Sequence, residues 1–219
     1  MKLIDAIKEK GLPFNVPDCS RDELPKFFKE MGFKIGAEVG AYKGAFTEKF
    51  CKEGFKMYAV DPWMAYGGAG KTQQKQNRQD FLFEHTTRVL APYDCTLIRK
   101  TSLDALDDFK DGSLDFVYID GDHEFSHIAE DIVGWTKKVK KDGIVAGHDY
   151  FCTDHLARNL VCQVGPVVDA YVKAFGVENF YTFGRTKPLD EELKDDKYLS
   201  WMFFRKYKEL EGWLRKVNK

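Results

Sequence analysis

Glu38-Val39-Gly40-Ala41-Tyr42-Lys43-Gly44 reads as a strand that runs into a glycine turn and then a helix. Gly40 lets the backbone approach a ligand, and Gly44 lets the next helix start close to the strand. Alone the pattern is common, and a bare tight turn would look the same. It gains meaning from Asp61, which closes the next strand in Tyr58-Ala59-Val60-Asp61-Pro62-Trp63. An acid at that strand end accepts hydrogen bonds from both hydroxyls of a ribose. Gly40 and Asp61 therefore define a nucleoside site.

A dinucleotide would require GxGxxG, so that further N–H groups face a pyrophosphate. Position 42 is Tyr, and no third glycine arrives on schedule. An adenosine ligand without phosphates fits better, and a strand-end acid such as Glu38 suits a cationic one. S-adenosylmethionine has both properties.

Outward from this turn, short apolar runs at 35–39, 57–60, 95–98, 114–119 and 143–146 alternate with helical patterns near 45–52, 77–90, 103–109 and 124–139. The last helix places Phe125, Ile128, Ile132, Trp135 and Val139 on one stripe. Such alternation calls for a mostly parallel sheet covered on both faces. Beyond Tyr150 the pattern loosens into a helix at 167–175, strands at 180–183 and 198–205, and a helical tail at 209–219. Residues 1–34 read as a helical extension packed on the core. In it Asp22 caps a helix with Pro25 in its first turn and Leu24, Phe27, Phe28 and Met31 at helical spacing, stopping at Gly32. The expectation is one structural domain: the extension at 1–34, the α/β core at 35–205, and the tail at 206–219.

With 219 residues, 43% of them hydrophobic, the chain can bury a full α/β core. A formal net charge of −1 without long like-charge blocks argues against nucleic acid. No apolar stretch is long enough to span a bilayer, and Met-Lys-Leu-Ile-Asp breaks the apolar run a secretory signal needs. A cytoplasmic protein with no membrane partner is expected, with homo-oligomerisation open. Five cysteines without CxxC spacing read as reduced thiols rather than a disulfide frame or zinc site.

The chemistry belongs at the carboxyl ends of the strands, where open α/β sheets bind ligands. Asp120, Gly121, Asp122 and His123 follow the strand at 114–119, and His148 and Asp149 close the next one. Neighbouring strands lie about 4.8 Å apart, so Asp120, His148 and Asp149 can share one ion. A mixed oxygen and imidazole set suits Mg²⁺, Mn²⁺ or a similar divalent cation. The plainer alternative is that these residues cap loops and bind substrate hydroxyls. His123 is placed against the substrate, whereas His85, His127 and His155 read as surface or helix-face residues. Trp201, Phe203 and Phe204 read as core strand, and Trp63 and Tyr66 as substrate walls or packing.

Taken in order, these motifs resemble the class I methyltransferases, more narrowly the branch of macrocin-type and other sugar O-methyltransferases. The residues that carry the resemblance are Glu-Val-Gly-x-x-x-Gly, Val60-Asp61-Pro62-Trp63, Ile119-Asp120-Gly121-Asp122-His123, Glu130-Asp131-Ile132 with Trp135, 142–150 ending in His148-Asp149-Tyr150, and Gly165-Pro166-Val167. It spans roughly residues 33–205 and implies a Rossmann-like fold with S-adenosylmethionine as cofactor. It puts Glu38 and Gly40 at the methionine end, with Tyr42, Gly44 and Asp120 among the cofactor-binding residues. Asp61 falls at the ribose and Ser102 near the adenine. Asp122 is the implied base, assisted by His123, and the acceptor is a hydroxyl on a sugar or glycosylated small molecule, with a divalent cation assisting. Those enzymes usually carry two acids before the tyrosine, where this chain has His148-Asp149.

Two other classes compete. Ala65-Tyr66-Gly67-Gly68-Ala69-Gly70-Lys71-Thr72 resembles a phosphate-binding P-loop, and a strand ending in Asp120 could serve an NTPase or kinase. However, 61–64, including Pro62, separate the loop from its strand, and Gly40, Asp61 and His148-Asp149 stay unexplained. Residues 64–76 are instead read as a mobile lid. The other competitor is a domain that binds a nucleoside without catalysis.

Overall fold

The computed structural model describes residues 1–65, 72–151, 162–184 and 199–205. In chain order these form α1 (Leu3–Ala6), β1 (Phe14–Val16), α2 (Leu24–Glu30), β2 (Ile35–Val39), α3 (Ala45–Lys52), β3 (Lys56–Val60), α4 (Thr72–Leu90), β4 (Cys95–Ile98), α5 (Ser102–Ala105), β5 (Leu114–Ile119), α6 (Phe125–Lys138), β6 (Val139–Phe151), α7 (Val164–Ala174), β7 (Phe180–Phe183) and β8 (Leu199–Phe204). The strands form one sheet in the order β1-β7-β8-β6-β5-β2-β3-β4. β8 runs antiparallel to β6 and β7, and the remaining pairings are parallel.

Period-two alternation sorts the central strand between two cores. On β5, Phe116 and Tyr118 face the side covered by α2 and α3, where the Phe28 and Phe50 rings pack tilted against the Phe116 ring at centroid distances of 4.6 and 4.9 Å. Val117 and Ile119 face the other side, against Ile128, Ile132 and Trp135 of α6. Both faces are dry, as a parallel sheet requires.

Several expectations change. The N-terminal extension is not wholly helical, because Phe14–Val16 adds an edge strand parallel to β7. Ser20, not Asp22, supplies the cap: its hydroxyl accepts from the Asp22 N–H at the head of a 3₁₀ turn, Arg21–Glu23, that leads into α2. A serine hydroxyl reaches the amide two residues on, which Asp22 cannot do for itself. β6 extends well past 143–146 because β5 and β8 both give it ladder partners. α4 begins at Thr72, so 72–76 of the expected lid are helical. The helix expected at 103–109 is α5 followed by a 3₁₀ turn, Leu106–Asp108. On α6, Phe125 is exposed, and Val139 leaves the stripe to open β6. Residues 66–71, Cys152, His155 and the tail at 206–219 lie outside the described residues. None of the described cysteines forms a disulfide, and none of the described helices is long and apolar enough to cross a membrane.

Candidate active site

β2, β3 and β5 end level with one another, and β6 passes that level at Gly147. Val39 pairs with Val60 and with Ile119, and Ile119 pairs with Gly147. The chain travels outward from β2 through β3 to β4, then crosses back to β5 on the other side. That reversal opens a crevice at the strand ends. It holds a cavity of about 610 Å³ lined by, among others, Gly40, Asp61, Ser102, Asp120, Asp122 and Asp131.

Backbone geometry builds the β2–β3 wall. The N–H groups of Gly40 and Ala41 both donate to the Val60 carbonyl, which turns the chain over the end of β3. Gly40 sits at φ +90°, and a Cβ there would lie 2.1 Å from the Asp120 carbonyl oxygen. The glycine is thus demanded by the protein's own backbone. Gly44, at φ +74°, abuts Thr86 and Leu90 of α4, so the helix it accommodates closely is α4 rather than the strand. Asp61 accepts from the Tyr42 N–H at 3.0 Å and from the Trp63 N–H at 2.7 Å. Burial raises its pKa against those two bonds. Each oxygen keeps a second lone pair for a ligand. Tyr42 and Trp63 both adopt positive φ, so this wall carries left-handed backbone at two bulky residues.

Glu38 stands elsewhere than expected, and Trp63 takes the packing role of the two left open to it. Glu38 is buried beneath the turn and is not part of the cavity wall; it accepts from the Thr47 hydroxyl. Desolvation raises its carboxyl to about 8, with Asp120 adding to the shift and Thr47 and Arg21 opposing it. Alternation along β2 explains the placement, since Glu38 points to the α3 face and Val39 to the cavity. Trp63 is fully buried against Phe83 and donates to the Tyr42 carbonyl, so it supports the rim instead of walling the substrate.

The β5–β6 wall is a side-chain cluster. Ligand atoms of Asp120, His123 and Asp149 lie within 4.8 Å of one another. The expected trio was Asp120, His148 and Asp149; His123 takes the place of His148. His148 Nδ1 lies 3.3 Å from Asp149 and 3.9 Å from Asp120, while His123 Nε2 reaches Asp149 at 3.0 Å. Burial alone would raise the pKa of Asp149, but hydrogen bonds from His123 and His148 hold it well below the usual carboxylate range. The same bond raises His123. Two carboxylates and an imidazole at this spacing have the donor chemistry of a divalent-cation site.

Asp122 is half exposed on the cavity wall. One oxygen accepts from the Glu124 N–H at 2.9 Å, and the other pairs with His127 Nδ1 at 3.0 Å. His127, expected on an open helix face, therefore belongs to the site. Arg21 was not anticipated at all. It reaches from the N-terminal extension across the Phe46 ring, 5.0 Å from its centroid, to Asp120 at 3.1 Å. Nothing in the sequence near Arg21 announces a contact with a residue 99 positions away.

The strand order is that of the Rossmann-like methyltransferase fold, with this cavity at its switch point. Residues 37–150 match the family described as "Methyltransferase domain", and the chain belongs to that family. An uncharacterized Sinorhizobium fredii protein, y4gI, is 36% identical over 131 residues; the match takes in 54% of this chain but only 13% of that protein. Among solved structures, a Bacillus cereus O-methyltransferase in complex with SAH is similar at TM-score 0.61 and 12% identity, covering 86% of this chain and 83% of that one. A putative caffeoyl-CoA O-methyltransferase from Staphylococcus aureus gives 0.59 and 14%, covering 86% of each. An rRNA methylase from Streptococcus thermophilus gives 0.59 and 13%, covering 88% and 99%. Similarity at these identities shows the fold alone, and the acceptors named differ widely. The family match and the strand order favour this class over a phosphate loop at Ala65–Thr72, whose centre lies outside the described residues.

Proposed function

We propose that the chain methylates a hydroxyl on a sugar or glycosylated small molecule, with S-adenosylmethionine as donor and a divalent cation held by Asp120, His123 and Asp149. One observation carries the reading: Asp120 belongs both to the nucleoside cavity and to the carboxylate–imidazole cluster. Donor and acceptor sites therefore share a wall. The donor's methyl is already activated by its sulfonium, so the protein's main contribution is alignment. Asp61 takes the ribose hydroxyls and the Gly40 turn leaves room for the methionine end. A divalent cation held by Asp120, His123 and Asp149 would supply Lewis acidity that lowers the pKa of an acceptor hydroxyl. Asp122, oriented by His127, receives the hydroxyl proton.

Calorimetry and thermal shift test the donor. S-adenosylhomocysteine should bind in about the micromolar range and raise the melting temperature, as any ligand of the native state does. Stabilisation by ATP with Mg²⁺ and none by S-adenosylhomocysteine would overturn the assignment. For the cation, Mn²⁺ should titrate to one site that Asp149→Ala abolishes while S-adenosylhomocysteine affinity stays within about threefold. Equal Mn²⁺ binding by the variant would remove the cluster as its site.

A further inference from the structure

The donor cavity has a second buried carboxylate that the nucleoside motifs do not use. Asp131 lies on α6, only 4% exposed, yet it lines the cavity. Its Oδ1 accepts from the Ser102 hydroxyl, and that hydroxyl's oxygen accepts from the Trp135 indole N–H at 2.7 Å. The indole N–H occupies the hydroxyl's acceptor side and so commits its proton to Asp131. Ser102 thus holds Asp131 in place rather than meeting a ligand itself. Asp131 Oδ2 points the other way, toward Gly121 on the cavity wall, 3.8 Å from where a Cβ there would stand. Among the described residues it has no protein donor. Open to the cavity on an otherwise buried residue, this oxygen is left to a donor from water or a ligand.

The surroundings select the donor that fits. Val39, Val60 and Leu103 offer apolar surface to the same cavity, which suits the faces of a flat ring. The polar demand is for an N–H at the ring's edge. We propose that Asp131 selects the donor's base, its Oδ2 accepting a hydrogen bond from the exocyclic amine of adenine. This rests on the cavity being the S-adenosylmethionine site. Burial raises the Asp131 carboxyl to about 6, against the bond from Ser102, so near pH 7.5 the acceptor form dominates. Base selection by this route uses one residue from α6 and one from the β4–α5 junction. It needs no acid at the end of β4, where Lys100, Thr101 and Ser102 stand.

Titration calorimetry on the full chain tests it, with S-adenosylhomocysteine and its deaminated counterpart, S-inosylhomocysteine, as probes. The latter presents a carbonyl where adenine presents an amine. The wild-type protein should prefer the adenosyl compound by about 10–100-fold, the scale of a hydrogen bond to a charged group. Asp131→Asn, whose amide can donate to a carbonyl, should collapse the preference to within about threefold, and Ser102→Ala should erode it by a smaller factor. A wild-type preference below threefold would overturn the inference without any variant. So would a full preference retained by Asp131→Asn. If the wild-type protein binds neither compound, the reading of the cavity itself fails and the inference falls with it.

Discussion

The two walls of the crevice are made in different ways. On the β2–β3 side, every defining contact is backbone geometry or a backbone-to-side-chain bond over about twenty residues: Gly40 and Ala41 on the Val60 carbonyl, Tyr42 and Trp63 on Asp61. On the β5–β6 side, the defining contacts are between side chains, and they converge from 21, 120, 122, 123, 127 and 149. A backbone device can be built only from certain residues at certain spacings, so it leaves a mark in the sequence. A side-chain cluster depends on rotamers and on the angle at which α6 leaves its strand, and several assignments of the same residue types satisfy the same sequence.

The difference can be broken most forcefully at the base. Asp122→Asn should lower turnover by about 10²–10⁴, the usual yield of general acid–base catalysis, while leaving S-adenosylhomocysteine and Mn²⁺ affinity unchanged. Single-turnover rates beside binding isotherms make the measurement. His127→Gln should reproduce a smaller part of the loss, because it removes the partner that orients the carboxylate. A loss confined to KM, with turnover unchanged, would show instead that Asp122 only binds the acceptor.

The opposite pattern should follow on the β2–β3 wall. Asp61→Ala should weaken S-adenosylhomocysteine by about 1.5–3 kcal/mol, the scale of hydrogen bonds to a charged group. Mn²⁺ affinity should not change, since Asp61 is outside the cluster. Loss of both ligands together would mean that the walls are one unit and that the contrast between them is false.

Legibility followed the same division. The α/β alternation, the strands at 35–39, 95–98, 114–119 and 180–183, and the Gly40–Asp61 pair could all be read because hydrophobic period and turn chemistry constrain them locally. What escaped reading depends on distant contacts. β1 exists because β7 offers it an edge. His123 rather than His148 completes the cluster because of how the loop after β5 folds back over Asp149. Glu38 was misplaced for a simpler reason. Its position at a strand end invited a ligand role, but the strand's alternation turns it to the opposite face from Val39.

That misplacement yields the smallest effect and a clean sign. Glu38 has an ordinary carboxyl pKa of 4.5 when unfolded and about 8 when folded, because burial penalises its charge. A raised folded pKa means that the native state takes up a proton between these values. The resulting stability is fully present below pH 4.5 and is lost as pH rises through about 8. Glu38→Gln keeps the shape but cannot take up the proton, so its stability lacks this dependence. The difference between wild type and variant in urea unfolding should therefore shrink with rising pH, by about 1 kcal/mol between pH 7 and 8, under the ceiling of about 1.4 kcal/mol per unit for one group. Other titrating groups cancel in the difference as long as Arg21 and Asp120, its charged neighbours, keep their places. If Glu38 instead reached into the cavity as a solvated carboxylate, the two stability curves would run parallel from pH 5 to 8, and adding S-adenosylhomocysteine would separate them.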